Sequence, residues 1–266
     1  MIKQTDDSHS NWWEQNTLEI GEMCQIQLGD ICLKLSRHLN EWHCSYDYSE
    51  SESDIKFCKM QFEQSQMESN LKRLANVATH GTFMIKPMVS DKPFVIQPTS
   101  PIHLFANEST TIYMSSIIWL QICIGESLQE WFSVPVQIPM ETWVGENTMV
   151  GELCYASKTA GRLQLELLPK RVFRVITPVT IINKGTDILL IDKINLPLPY
   201  LSVFSDQFDN FWTESISITR NVNLQAAKLE IENYKKSDTQ QLVLVTSPRK
   251  SQQSNQFIKT VHQLFG

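Results

Sequence analysis

Chemistry in this chain, if it has any, would be done by the carboxylates and aromatics of one stretch. The segment ETWVGENTMVGELCYASKT places Glu141, Glu146 and Glu152 among Trp143, Tyr155 and two glycines, Gly145 and Gly151. A Gly-punctuated loop carrying indole, phenol and carboxylate groups suits a ligand or partner, because loops hold binding groups that core packing does not require. Trp143, Glu146, Glu152 and Tyr155 are therefore the expected ligand- or partner-binding residues. Two carboxylates about 5–10 Å apart across a cleft would turn such a surface toward glycoside chemistry. The competing reading makes the segment a structural loop that packs Trp143 and Tyr155 over a sheet end.

The other reactive residues do not assemble into a motif. Cys24, Cys32, His43 and Cys44 fall in neighbouring strands, but structural zinc sites pair their ligands two to four residues apart, and the chain has no CxxC. His43 and Cys44 are adjacent, so they point to opposite faces of one strand. Gly-x-Ser-x-Gly, G-x-G-x-x-G and Walker sequences are all missing. No catalytic residue, metal or cofactor is expected.

Composition narrows the classes further. The chain has 266 residues, 42% hydrophobic and 20% charged, with a formal net charge of −6. It is long enough to bury a core and too apolar to be disordered. The acidic balance argues against nucleic acid, which is bound through phosphate neutralisation. Lys170, Arg171 and Arg174 form a local basic cluster, read as the solvated edge of a strand. The longest apolar run, Ile112 to Ile124, falls short of the roughly 20 residues of a membrane helix and reads as a buried strand. With no secretory signal, a cytoplasmic location and six reduced cysteines are expected.

The positioning elements read as strands. Cys24, Ile26 and Leu28 share one face, and Ile31, Leu33 and Leu35 share another after Gly29-Asp30, which predicts a hairpin turning there. Trp42, Cys44, Tyr46 and Tyr48 alternate with Glu41, His43, Ser45 and Asp47. Ser49 to Asp54 reads as a solvated loop, and residues 61–78 as a short helix or irregular excursion. TFMIKPM, FVIQP and PIHLFA are short strands, their prolines marking edges or ends. Leu163, Leu165 and Leu167 alternate as a further strand. VTIIN and DILLIDKINLP predict a hairpin across Lys184-Gly185, with Gly185 at positive φ. The final segment, with Phe257, Ile258, Val261 and Leu264 at helical spacing, predicts a short amphipathic helix.

The fold class that follows is all-β: an antiparallel β-sandwich with immunoglobulin-like or Greek-key layers and a short C-terminal helix. Two sandwiches, residues 1–140 and 141–266, or one continuous assembly, satisfy the pattern.

The strand block from Pro101-Ile102 to Gly125, then Pro135 to Pro139, TWVGENTMVGELCYASKT, RVITPVTIINKG and INLPLPYLSVF together resemble a prokaryotic domain-of-unknown-function family, the one labelled 432. The resemblance spans roughly residues 80–210, and Cys154-Tyr155 matches its Cys-Tyr element. It implies no activity and no catalytic residue. Some relatives lie near mechanosensitive-channel genes, which implies an indirect link to a membrane protein. The functional expectation is a non-enzymatic binding or adaptor protein, using sandwich-end loops or an open strand edge. The alternatives are a carbohydrate- or small-ligand-binding module and a structural subunit of a homo-oligomer.

Overall fold

In the computed structural model, the structure describes residues 12–61, 70–75, 80–98, 100–147, 150–158, 161–221, 226–232, 242–251, 256–260 and 265. The chain is all-β. It divides into two compact units, one of residues 1–88 and 119–137, the other of 89–118 and 138–266, so it passes between them at 88/89, 118/119 and 137/138. Among the described residues no helix is long and apolar enough to cross a membrane.

The first unit holds β1 (Asn16–Thr17), β2 (Glu22–Arg37), β3 (Glu41–Gln61), β4 (Lys72–Ala75) and β5 (Thr82–Met88). Through the second unit the chain forms β6 (Phe94–Gln97), β7 (Ile102–Leu104) and β8 (Ser109–Ile117), then returns as β9 (Trp119–Ile124) and β10 (Gln129–Pro135). Two sheets result, ordered β1-β5-β9-β10 and β2-β3-β4, and they pack as a two-layer sandwich. Trp42 meets Phe83 with ring centroids 6.1 Å apart, Tyr46 meets Phe132 at 6.4 Å, and the Tyr48 hydroxyl donates to the Pro135 carbonyl at 2.8 Å.

Strand β2 corrects the hairpin expected at Gly29-Asp30. The strand runs straight through, and a β-bulge at Gly29, whose φ is 58°, shifts its register against β3. Across the shift the additional residues lie on β3, and the positive φ of Gly29 marks the point where β2 itself exchanges its two faces. That is why burial falls on Cys24, Ile26 and Leu28 before it and on Ile31, Leu33 and Leu35 after it. Each of these buried aliphatic side chains stabilises the fold by about 1.5–3 kcal/mol. The acidic tract Ser49–Asp54 is likewise part of β3, not a loop. Of the segment read as a helix or excursion, Lys72–Ala75 is the strand β4 paired to β3, while 62–69 and 76–79 lie outside the described residues.

The second unit continues with β11 (Met140–Asn147), β12 (Val150–Lys158), β13 (Arg174–Asn183), β14 (Leu189–Ile191), β15 (Ile194–Leu196), β16 (Val203–Ser205), β17 (Phe211–Trp212), β18 (Ile216–Arg220), β19 (Ala226–Ile231), β20 (Val243–Thr246) and β21 (Gln256–Thr260). An eight-stranded sheet runs β20-β16-β17-β13-β18-β19-β21, with β8 on the other edge of β13. A four-stranded sheet runs β11-β12-β6-β15, and β14 pairs with β7.

Four further expectations are corrected here. The apolar run 112–124 is two strands, because Ile118 ends the pairing of β8 with β13 and β9 then joins β5. A run buried on both faces carries no alternation to mark such a break. Leu165–Leu167 form a 3₁₀ turn rather than a strand; the segment has no β-branched residue, and Leu163 and Leu167 stay exposed. Both edges of β13 are taken, by β8 on one side and by β17 and β18 on the other, so the hairpin across Lys184-Gly185 does not form. Gly185 does not take a positive φ; it sits in a tight place, where a Cβ would stand 3.1 Å from Arg220 Cζ and 3.1 Å from Asn183 Oδ1. Finally, Gln256–Thr260 is the strand β21, antiparallel to β19, where a terminal helix was expected. The edge of β19 offers a row of backbone partners that an isolated short helix lacks. Residues 252–255 and 261–264 lie outside the described residues, while Phe265 is buried.

Candidate functional site

The stretch that carries Trp143 is a hairpin. β11 and β12 pair antiparallel, with Glu141 opposite Tyr155, Trp143 opposite Leu153 and Gly145 opposite Gly151. β12 then lies parallel to β6, and β6 antiparallel to β15. The alternation that builds it is in the sequence: Val144 and Cys154 turn inward and are buried, with Val95, as one cluster. Glu141 and Trp143 fall on the opposite face.

On that outer face Tyr155 is buried, and its hydroxyl donates to Asp91 Oδ1 at 3.0 Å. Lys92 Nζ stands 4.8 Å from the centroid of the Tyr155 ring and pairs with the Glu141 carboxylate. The Phe94 ring lies 6.1 Å away. Burial pushes the Tyr155 phenol above its ordinary range, and the Asp91 charge adds to the shift. Hydrogen bonding to Glu141 holds the Lys92 ammonium above its own. Beside this clamp the Trp143 indole crosses β12 at Gly151 and remains 48% exposed.

Glu152 belongs to the other face. Its Oε1 accepts from Asn195 Nδ2 at 3.2 Å, and the same amide reaches Cys154 Sγ at 4.0 Å. Asn195 is buried in β15, and its Oδ1 is enclosed without a partner. The structure thus brings Trp143 and Tyr155 to one side of the hairpin and Glu152 to the other. The side chain of Glu146 lies outside the described part of the structure. Glu141 and Glu152 face opposite sides, so they do not form a carboxylate pair across a cleft.

A second polar cluster, in the first unit, was not assembled from the sequence. At the β2–β3 turn the His38 and His43 rings stack with centroids 3.9 Å apart. Ser36 Oγ lies 3.2 Å from His38 Nε2, and His43 Nε2 lies 3.0 Å from Glu41 Oε1. Arg73 of β4 grips Glu41 with two hydrogen bonds of 2.8 Å. Burial, followed by the neighbouring His43, lowers the His38 value. The bonds from Arg73 and then His43 lower that of Glu41. The signal was Ser36-x-His38 and Glu41-x-His43 flanking a turn, visible once Leu39-Asn40 is taken as the hairpin tip. Among the described residues, no group of three His, Cys, Asp or Glu is placed to hold a metal ion.

No curated protein and no solved structure matches this chain. A family model does, over residues 12–264, which take in both units, the Trp143 hairpin and the His38 cluster. The chain belongs to the family described as protein of unknown function, DUF432.

Proposed function

We propose that this chain is a binding module that takes up an extended peptide by strand addition on β11. One observation carries the reading. β11 stands last in its sheet and pairs only with β12 among the described residues. Its flank is apolar and wet: Ile138 is 71% exposed, Met140 75% and Trp143 48%. An open edge presents a row of backbone donors and acceptors, and alternate side chains beside it read the incoming strand. The Tyr155–Lys92–Glu141 clamp stiffens the hairpin from behind, which lowers the ordering cost of association. We take the compartment to be the cytoplasm, in keeping with six cysteines that are all free.

Selection from a displayed library of random 12-residue peptides tests this. The expected result is enrichment of peptides with alternating apolar residues, whose addition shifts the β11 amide resonances. Met140→Lys and Trp143→Ala should each weaken such a peptide about tenfold or more while leaving the circular dichroism unchanged. Peptides that bind both variants as well as the parent, or shift resonances elsewhere, would overturn the reading. So would sedimentation showing a dimer that Met140→Lys dissociates, since a second copy would then be the strand that β11 receives. The carbohydrate reading rests on the exposed indole alone.

A further inference from the structure

Lys170, Arg171 and Arg174 gather positive charge in a chain whose net charge is −6. The structure does not leave Arg174 on a solvated edge. Its backbone N–H donates to the Arg171 carbonyl at 3.0 Å, closing a turn over Val172 and Phe173. A turn of this kind brings its first and fourth Cα atoms within about 7 Å, so the two arginine side chains leave the backbone close together. Arg174 then reaches back across β8: Nε donates to Ser115 Oγ at 2.8 Å and Nη2 to the Ser115 carbonyl at 2.7 Å. Arg171 stands over the buried Phe173 ring, 5.8 Å from its centroid.

Two facts make this arrangement unusual. No carboxylate pairs with Arg174 among the described residues, and its Nη1 makes no hydrogen bond there. Burial, with the Arg171 charge beside it, brings Arg174 down to about 10. A cation pinned in a partly dry place beside a like charge raises the local potential and rewards a bound anion. The planar fork of arginine suits two oxygens of one oxyanion, and a doubly charged group offsets two guanidiniums. We infer that this turn is a phosphate-binding site, in which Arg174 Nη1 and Arg171 hold the phosphate of a soluble phosphate monoester. The inference is independent of strand addition on β11.

Thermal unfolding in inorganic phosphate, against chloride at equal ionic strength, is the test. At about ten times its Kd, phosphate should raise the melting temperature of the parent by roughly 3–6 °C. Phosphate also stabilises proteins by surface exclusion, so the decisive comparison is with Arg174→Gln, which should lose that excess. Should Arg174→Gln fail to fold, Arg171→Gln on the exposed side of the turn replaces it, and its phosphate Kd by calorimetry should rise about tenfold. Equal phosphate shifts in parent and variant, or an unchanged Kd in Arg171→Gln, would overturn the site. Pelleting of the parent, but not the variant, with phosphatidylglycerol vesicles would assign the phosphate to a lipid headgroup and overturn the soluble monoester.

Discussion

The indole of Trp143 lies so close across Gly151 that no side chain fits between them. A Cβ at Gly151 would stand 2.7 Å from Trp143 Nε1, 2.8 Å from Cε2 and 2.6 Å from the Val144 carbonyl oxygen. The glycine is what lets the ring lie across β12 at this point, with Trp143 still 48% exposed.

Gly151→Ala should therefore destabilise the protein by about 1–3 kcal/mol, the usual cost of overpacking. In a Trp143→Ala background the penalty should shrink without vanishing, because the Val144 carbonyl still obstructs the methyl group. Urea denaturation of the four proteins of this cycle measures it. An identical penalty in both backgrounds would mean the indole does not lie on Gly151.

Stability should fall in mild acid through the His38–His43 stack. His38 lies below its ordinary value of 6.5, so the unfolded chain binds its proton more readily than the folded one. Its contribution is fully present above 6.5 and is lost as pH drops below that value. Urea midpoints at pH 8 and pH 5.5 should differ more in the parent than in His38→Gln. Equal differences would remove His38 as the cause.

Cys24 should be chemically silent. Burial raises its thiol to about 12, the nearby Lys59 opposing only in part. The thiolate is the nucleophile, so iodoacetamide at pH 8 should label Cys24 only as fast as the strand opens. The less buried Cys32 and Cys58 should react first. Mass spectrometry of timed digests reads this, and labelling of Cys24 at the rate of a free thiol would contradict the burial.

Asp206 should matter to folding more than any exposed carboxylate. Its Oδ1 accepts from the Phe208 and Asn210 backbone at 2.8 and 2.9 Å, and Oδ2 from Trp212 Nε1 at 3.0 Å. Burial works to raise its value, but the bonds from Asn210, Trp212 and Phe208 outweigh that and lower it. Asp206→Ala should cost about 2–4 kcal/mol, because it strands the buried Trp212 Nε1 together with the half-buried backbone donors of Phe208 and Asn210. A lowered carboxylate stabilises above its unfolded value and loses that effect as pH falls through the folded one. The parent's acid-unfolding curve should thus contain a component missing from the variant. A loss under about 0.5 kcal/mol, typical of surface sites, would contradict the network.

Much of the all-β character was legible from alternation alone. Trp42 and Cys44, Ile216 and Ile218, and Ala227 and Leu229 all face inward as their spacing requires. The split of the candidate site was partly legible too: the opposite parities of Trp143 and Glu152 in a hairpin follow from register, once the hairpin is known. Alternation says that a face is buried and not what buries it. At Gly29 a change of parity has two solutions, a turn or a bulge, and only the long pairing of β2 with β3 selects the bulge. At Ile118 the same apolar composition serves β8 and β9, and their different partners make the break. Residues 256–260 have helical spacing, yet the open edge of β19, nearly 30 residues earlier in the chain, draws them into a sheet. Strand pairing is satisfied by hydrogen bonds between distant segments, and such bonds have no local signature. The clustering of Arg171 and Arg174 is local, whereas Ser115, which holds Arg174 in place, lies 59 positions away in sequence and is brought to it only by the pairing of β8 with β13.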